Sequence, residues 1–131
     1  MRVVVAWIAT AIVFVGLDAI WLTQVAPRLA PPRIGELLAN TVRPVPAIAF
    51  YLIYLTGIVV LAVLPVEQGS AQRVLTRGAI LGFVAYATYD LTNQATMRVW
   101  STTITLADLA WGTTITAVAA LAGYIAASRI R

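Results

Sequence analysis

The stretch from Val3 to Val25, VVVAWIATAIVFVGLDAIWLTQV, decides the fold of this chain. It is apolar almost throughout, and about 20 such residues in helical conformation cross the hydrocarbon core of a bilayer. A lone Arg2 ahead of a Val-rich run can be mistaken for the start of a secretion signal. The length of the run, the Asp18 inside it and the three apolar stretches that follow make an uncleaved first span the expectation.

Working outward from this run, Pro27, Pro31 and Pro32 are expected to end the first span and open a connector. Within the connector Ile34, Leu37 and Leu38 fall at helical spacing, which predicts a short helix over about 33–40 lying in the membrane interface. Pro44 and Pro46 restart the chain into a second span, about 46–64, which Pro65 closes. Glu67, Gln68, Gly69 and Ser70 make the next turn, and further spans follow over about 74–97 and 102–127. Gly78 and Gly82 form a G-x-x-x-G step in the third span, a spacing that lets two helices approach closely.

Composition agrees with this reading. The chain is 61% apolar and only 11% charged, with a mean hydropathy of +0.90. Soluble domains carry about 25% charged residues. A soluble domain of this size hides only about two-thirds of its chain's surface, so lipid is the solvent that accounts for the missing charge. The expected fold class is all-α, a polytopic membrane protein whose single domain is a bundle of four transmembrane helices.

Several chemistries are excluded by composition. With neither Cys nor His, the chain has no disulfide, no thiolate, no zinc site of the usual ligand set, no His-ligated haem and none of the commonest general base. All nine basic residues are Arg, so no Lys is present to form a Schiff base. The net charge of +4 is spread over connectors and tails, a pattern of membrane orientation and not of nucleic-acid binding. Four spans put both termini on one side, together with Arg2, Arg73, Arg77, Arg129 and Arg131. Arg28, Arg33, Arg43 and Arg98 fall on the other, so the positive-inside rule places the termini in the cytoplasm by a margin of one residue.

The acidic residues carry the functional signal. Glu36 and Glu67 sit in connectors, but Asp18, Asp90 and Asp108 fall inside expected spans. Each costs about 2.5–3.5 kcal/mol on insertion scales, and intramembrane acids of this kind mark functional sites. Asp18 and Asp90 each lie seven residues before the end of a span, and Asp108 lies six after the start of one. Those three ends emerge on the face opposite the termini, so at about 1.5 Å rise per residue all three carboxyls sit roughly 10 Å below it.

Their neighbours fit a polar site. Tyr86, Asp90, Asn93 and Met97 follow i, i+4, i+7, i+11, with Tyr89 and Thr92 beside them, and Tyr51 and Tyr54 lie near the same face in the second span. The first and fourth spans each contain D-x-x-W, as Asp18 to Trp21 and Asp108 to Trp111. Because those spans run antiparallel, Trp21 is expected toward the surface and Trp111 toward the bilayer middle. Interfacial Trp and Tyr also form aromatic belts, the plainer expectation for Trp7 and Trp100.

Three carboxylates in a low dielectric do not all stay ionised without partners. They can hold protons as candidate acid or base groups, sharing hydrogen bonds with Tyr51, Tyr54, Tyr86 and Asn93. They can bind a divalent cation such as magnesium, calcium or manganese through oxygen ligands, although no dedicated metal site is read from the sequence. Or Arg43 or Arg98 can reach in.

The string Tyr89-Asp90-Leu91-Thr92-Asn93-Gln94-Ala95-Thr96, with Asp18-Ala19-Ile20-Trp21 before it and Asp108-Leu109-Ala110-Trp111-Gly112 after it, resembles a family of small bacterial inner-membrane proteins described as a predicted membrane protein domain of unknown function. The likeness covers essentially the whole chain, and it implies a four-helix protein of the bacterial inner membrane but no catalytic assignment. Three functions stay open. The first is a protein that binds or modifies a lipophilic substrate, with Asp18, Asp90 and Asp108 as acid or base groups and Trp21, Tyr51, Tyr54, Tyr86, Asn93 and Trp111 as ligand contacts. The second is an accessory or structural membrane protein. The third is a proton- or cation-coupled transporter, which needs a dimer because four helices enclose no alternating pathway. The half nearer the termini, mostly Ala, Val, Ile and Leu apart from threonines that can bond their own helix, argues for a one-sided pocket over a conduit.

Overall fold

The computed structural model describes residues 1–29, 43–66 and 70–130. Among these the chain runs as four helices with no strand: α1 Arg2–Leu29, α2 Pro44–Val63, α3 Ala71–Thr96 and α4 Thr102–Ser128. The interfacial helix expected over 33–40 lies outside the described residues. α1, α2 and α4 are each long and apolar enough to cross a membrane. α3, at 26 residues, matches them in length but is less apolar, because Arg73 and Arg77 occupy its first turns and Asp90, Asn93 and Gln94 its last. Its outward side still carries Ile80, Phe83, Val84 and Leu91, all exposed.

α1 does not stop at Pro27, as the sequence led us to expect. Between Trp21 and Val25 the backbone widens into a π turn, in which the Ala26 N–H reaches back to the Trp21 carbonyl, and the helix runs on through Ala26–Leu29. A widened turn shifts the register of carbonyls and so accommodates a proline that has no N–H to offer. The Thr23 hydroxyl donates to the Ala19 carbonyl at 2.6 Å on the same stretch. α2 opens at Pro44 and not at Pro46, since first-turn residues have no intrahelical N–H bond to lose. It ends in a second π turn, Val59–Val63, where Arg77 Nε from α3 donates to the Leu61 carbonyl at 2.7 Å. α4 begins on Ser101, whose side chain accepts the Ile104 N–H at 3.1 Å.

Neighbouring helices run antiparallel, and their buried residues form rows spaced by four. On α1 the row is Ala6, Thr10, Phe14 and Asp18. On α3 it is Val74, Gly78, Gly82 and Asp90, with half-buried Tyr86 in step. Both rows press on α4, which holds most of the buried positions. A Cβ on Gly78 would stand 2.8 Å from the Ala117 Cα, and one on Gly82 would strike the Gly112 carbonyl. Gly112 in turn receives the Tyr86 ring, and Gly123 receives the Thr10 hydroxyl of α1. The close approach expected of the G-x-x-x-G step is therefore made, and α4 supplies its own small residues to match it.

The apolar core gathers at the end of the bundle that holds the termini. Phe14, Leu55, Ile58, Val59, Val74, Ile115, Ala119 and Tyr124 pack there, while Asp18, Asp90 and Asp108 lie beyond Phe14, toward the other end. Ile12, Ile53, Ile80 and Leu106 are among the large apolar side chains left exposed outward. Apolar residues both inside and outside are what a helix bundle needs when hydrocarbon replaces water as solvent.

Candidate functional site

The two four-spaced rows deliver their last members, Asp18 and Asp90, to one end of the bundle, where α4 presents Asp108 between them. Asp18 is 7% exposed and Asp90 is fully buried. Asp108 is half-buried and lies close enough to both to feel their charge. The three acids do not converge on one point. They border two adjoining cavities, with Asp108 on the wall of each.

The first cavity is a cleft of about 390 Å3 between α1, α2 and α3. Asp18, Tyr51, Tyr54, Tyr86 and Asp108 supply its polar wall, and Leu22, Ala47, Phe50 and Ala85 much of the remainder. The Tyr51 hydroxyl donates to Asp18 Oδ2 at 2.7 Å. Tyr54 shares a hydrogen bond of 2.8 Å with Thr116 of α4 and lies between the rings of Phe14 and Tyr86, at 5.3 and 6.4 Å. Leu22, Phe50 and Tyr89 are exposed at the rim.

The second cavity, about 320 Å3, lies between α1, α3 and α4 and has Asp90 and Asp108 on its wall with Trp21, Tyr89 and Trp100. Both Asp90 oxygens are buried without a hydrogen-bond partner among the described residues. The side chain faces Asp108, and while both carboxyls are ionised neither offers the other a donor. Trp100 donates its N–H to Thr105 Oγ1 at 3.0 Å, Thr105 donates to Gln94 Oε1 at 2.7 Å, and Gln94 donates to Thr102 Oγ1 at 3.0 Å.

The indoles of the two D-x-x-W segments do not lie at separate depths as expected. Trp21 and Trp111 stack face to face, with ring centroids 4.8 Å apart and planes 6° from parallel. A helical side chain leans toward its own helix's N-terminus. On antiparallel helices these leans converge, which closes the gap that Cα positions alone suggest. Trp21 lines both cavities and Trp111 neither. The Trp111 N–H is buried beside Asp18 without completing a hydrogen bond.

The remaining candidates fall as follows. Asn93 is half-buried and lines neither cavity. The polar row of α3 continues by fours from Tyr86 and Asp90 to Gln94, which bonds Thr102 and Thr105 of α4, while Asn93 meets Tyr89 of its own helix. Gln94 and Trp100 were missed by the sequence reading, and extending the Gly78–Gly82 spacing along α3 would have found Gln94. Trp7 bonds Thr56 across α1 and α2 at 3.1 Å, and Thr116 pairs with Tyr54 of α2. Arg43 and Arg98 line neither cavity. Among the described residues no three acidic side chains are grouped closely enough to hold a metal ion, so a divalent cation gathered by all three Asp residues does not fit this arrangement.

Long apolar helices packed around buried carboxyls define an all-α integral membrane protein, resident in a lipid bilayer. The chain belongs to the family described as "Predicted membrane protein (DUF2177)", which it matches over residues 3–125. This is the family that the Tyr89–Thr96 string and the two D-x-x-W segments resemble. No curated protein and no solved structure matches the chain.

Proposed function

We propose that this protein crosses the bacterial inner membrane four times with cytoplasmic termini, and that it binds or modifies a lipophilic substrate in the cleft bounded by Asp18 and Tyr51. One observation carries the reading: a cleft with largely apolar walls is furnished with a carboxyl held by a tyrosine hydroxyl at 2.7 Å. Apolar pockets with a few fixed polar groups are the usual form of small-molecule sites. Asp18 is the candidate acid or base, Tyr51 positions it and relays its proton, and Asp108 faces the same space from α4. The apolar end around Phe14 and Ile58 fits a pocket entered from one side only. Counting α3 as a span rests on its length, its antiparallel packing along α4 and its apolar outward side.

The test is to extract what stays bound after purification in dodecyl maltoside and identify it by mass spectrometry, for the wild type and for Asp18→Asn. We expect one lipophilic compound enriched in the wild type by about tenfold over bulk membrane lipid, equivalent to about 1.4 kcal/mol, and lost from the variant. Identical bulk-lipid profiles from both proteins would refute a ligand site at Asp18.

A further inference from the structure

We propose that the second cavity binds an organic ammonium group, with Asp90 and Asp108 as its counter-charge and Trp21, Tyr89 and Trp100 as its walls. The argument starts from Asp90, which is 0% exposed, borders the cavity and has no hydrogen-bond partner for either oxygen among the described residues. A buried carboxylate is retained at a cost unless something pairs with it. Among the described residues no arginine lines the cavity, and the Asp90 side chain faces a second carboxyl, Asp108. The alternative to a proton shared between the two carboxyls is a cation brought from outside.

The walls decide which cation. Magnesium held by one or two carboxylates keeps most of its water shell, and the aromatic and aliphatic side chains that make up the rest of this wall offer those waters few hydrogen-bond partners. Aromatic faces attract ammonium groups, most strongly where water is excluded. The rings of Tyr89 and Trp100 stand 6.2 Å apart at 75°, giving two walls of a box, and Trp21 gives a third. These walls are fixed in advance. Trp100 is tied through Thr105 to Gln94, and Trp21 lies flat on Trp111. A volume of about 320 Å3 admits a trimethylammonium head. Trp21, Leu22, Tyr89 and Asp108 also border the cleft, so the tail of an amphiphile would run from the box into it. Only this placement of the tail rests on the function proposed above.

The test uses the full chain in dodecyl maltoside, followed by tryptophan fluorescence and titrated with four probes. These are choline, its uncharged isostere 3,3-dimethylbutan-1-ol, decyltrimethylammonium and decanol. We expect choline to bind about tenfold or more tightly than the isostere, decyltrimethylammonium to bind more tightly than choline, and Asp90→Asn to weaken both cations about tenfold. Equal binding of choline and its isostere, no cation binding at all, or undiminished cation binding by Asp90→Asn overturns the proposal, and Asp90 and Asp108 are then a pair sharing a proton. If Asp90→Asn does not fold, the comparison of choline with its isostere on the wild type decides alone. Choline binding with no gain from the decyl tail upholds the box and removes the cleft as the tail's path. Decanol binding that matches decyltrimethylammonium and ignores Asp90 upholds the cleft and overturns the box.

Discussion

Replacing Gly82 by Ala tests whether the seam between α3 and α4 holds the site together. A Cβ at Gly82 would collide with the Gly112 carbonyl and stand 2.8 Å from the Thr116 Cβ, whereas carbon atoms pack at about 3.5–4.0 Å. The obstacle is partly backbone, which cannot rotate aside, so α3 and α4 must part by roughly 1 Å. Overpacking of this kind costs about 1–3 kcal/mol. Gly16 and Gly57 provide the control, because a Cβ at either meets nothing within 4 Å. There Ala brings only its better helix propensity, a gain of up to about 1 kcal/mol. Because that propensity gain is common to both classes, the two should differ by about 1–3 kcal/mol. Reversible unfolding by SDS from dodecyl maltoside micelles, followed by circular dichroism, measures the difference. Equal stability of Gly82→Ala and Gly57→Ala would refute the close seam, and with it our account of how Tyr86 and Asp90 are carried to the site.

Two further predictions concern the site and the topology. Tyr51→Phe removes the donor to Asp18 and should cost about 0.6–1.7 kcal/mol in the same unfolding assay, with most of that cost vanishing in an Asp18→Leu background, which has no acceptor. Simple additivity of the two changes would mean that the 2.7 Å bond does not couple them. Because the chain has no Cys, single cysteines at the exposed positions Gln72, Thr103 and Ser128 can be labelled cleanly with an impermeant maleimide. Positions 72 and 128 should react from the cytoplasmic side and 103 from the other, whereas labelling of 72 and 103 from one side would remove α3 from the list of spans.

Much of the site follows from arithmetic on the sequence. An Asp near the end of a span is placed by the rise of the helix, and the packing rows can be counted in fours from Gly78 and Gly82. That is why Asp18, Tyr51, Tyr54, Tyr86 and Asp108 could be named from residues alone and do border one cleft. The same arithmetic misled where two periods compete. A 3.6-residue repeat favours Asn93 after Asp90, while a close-packed seam of small residues keeps the four-residue row and reaches Gln94. Pro27 misled for a different reason, since a π turn is a choice among backbone hydrogen bonds that no local composition announces.

By itself the sequence determined the solvent, the helices and the place of each acid along its helix. Hydrophobic length and helical rise are properties of single segments, and they hold before any two helices meet. Only the tertiary structure decided that the acids divide between two cavities, that Asp108 is shared, that Trp21 lies on Trp111, and that Trp100 stands in a wall of the second cavity. Those outcomes depend on how far side chains lean and on which glycine lets which ring approach. Such contacts join residues far apart in the chain, Trp21 to Trp111 and Thr10 to Gly123 among them, and no local window contains both partners.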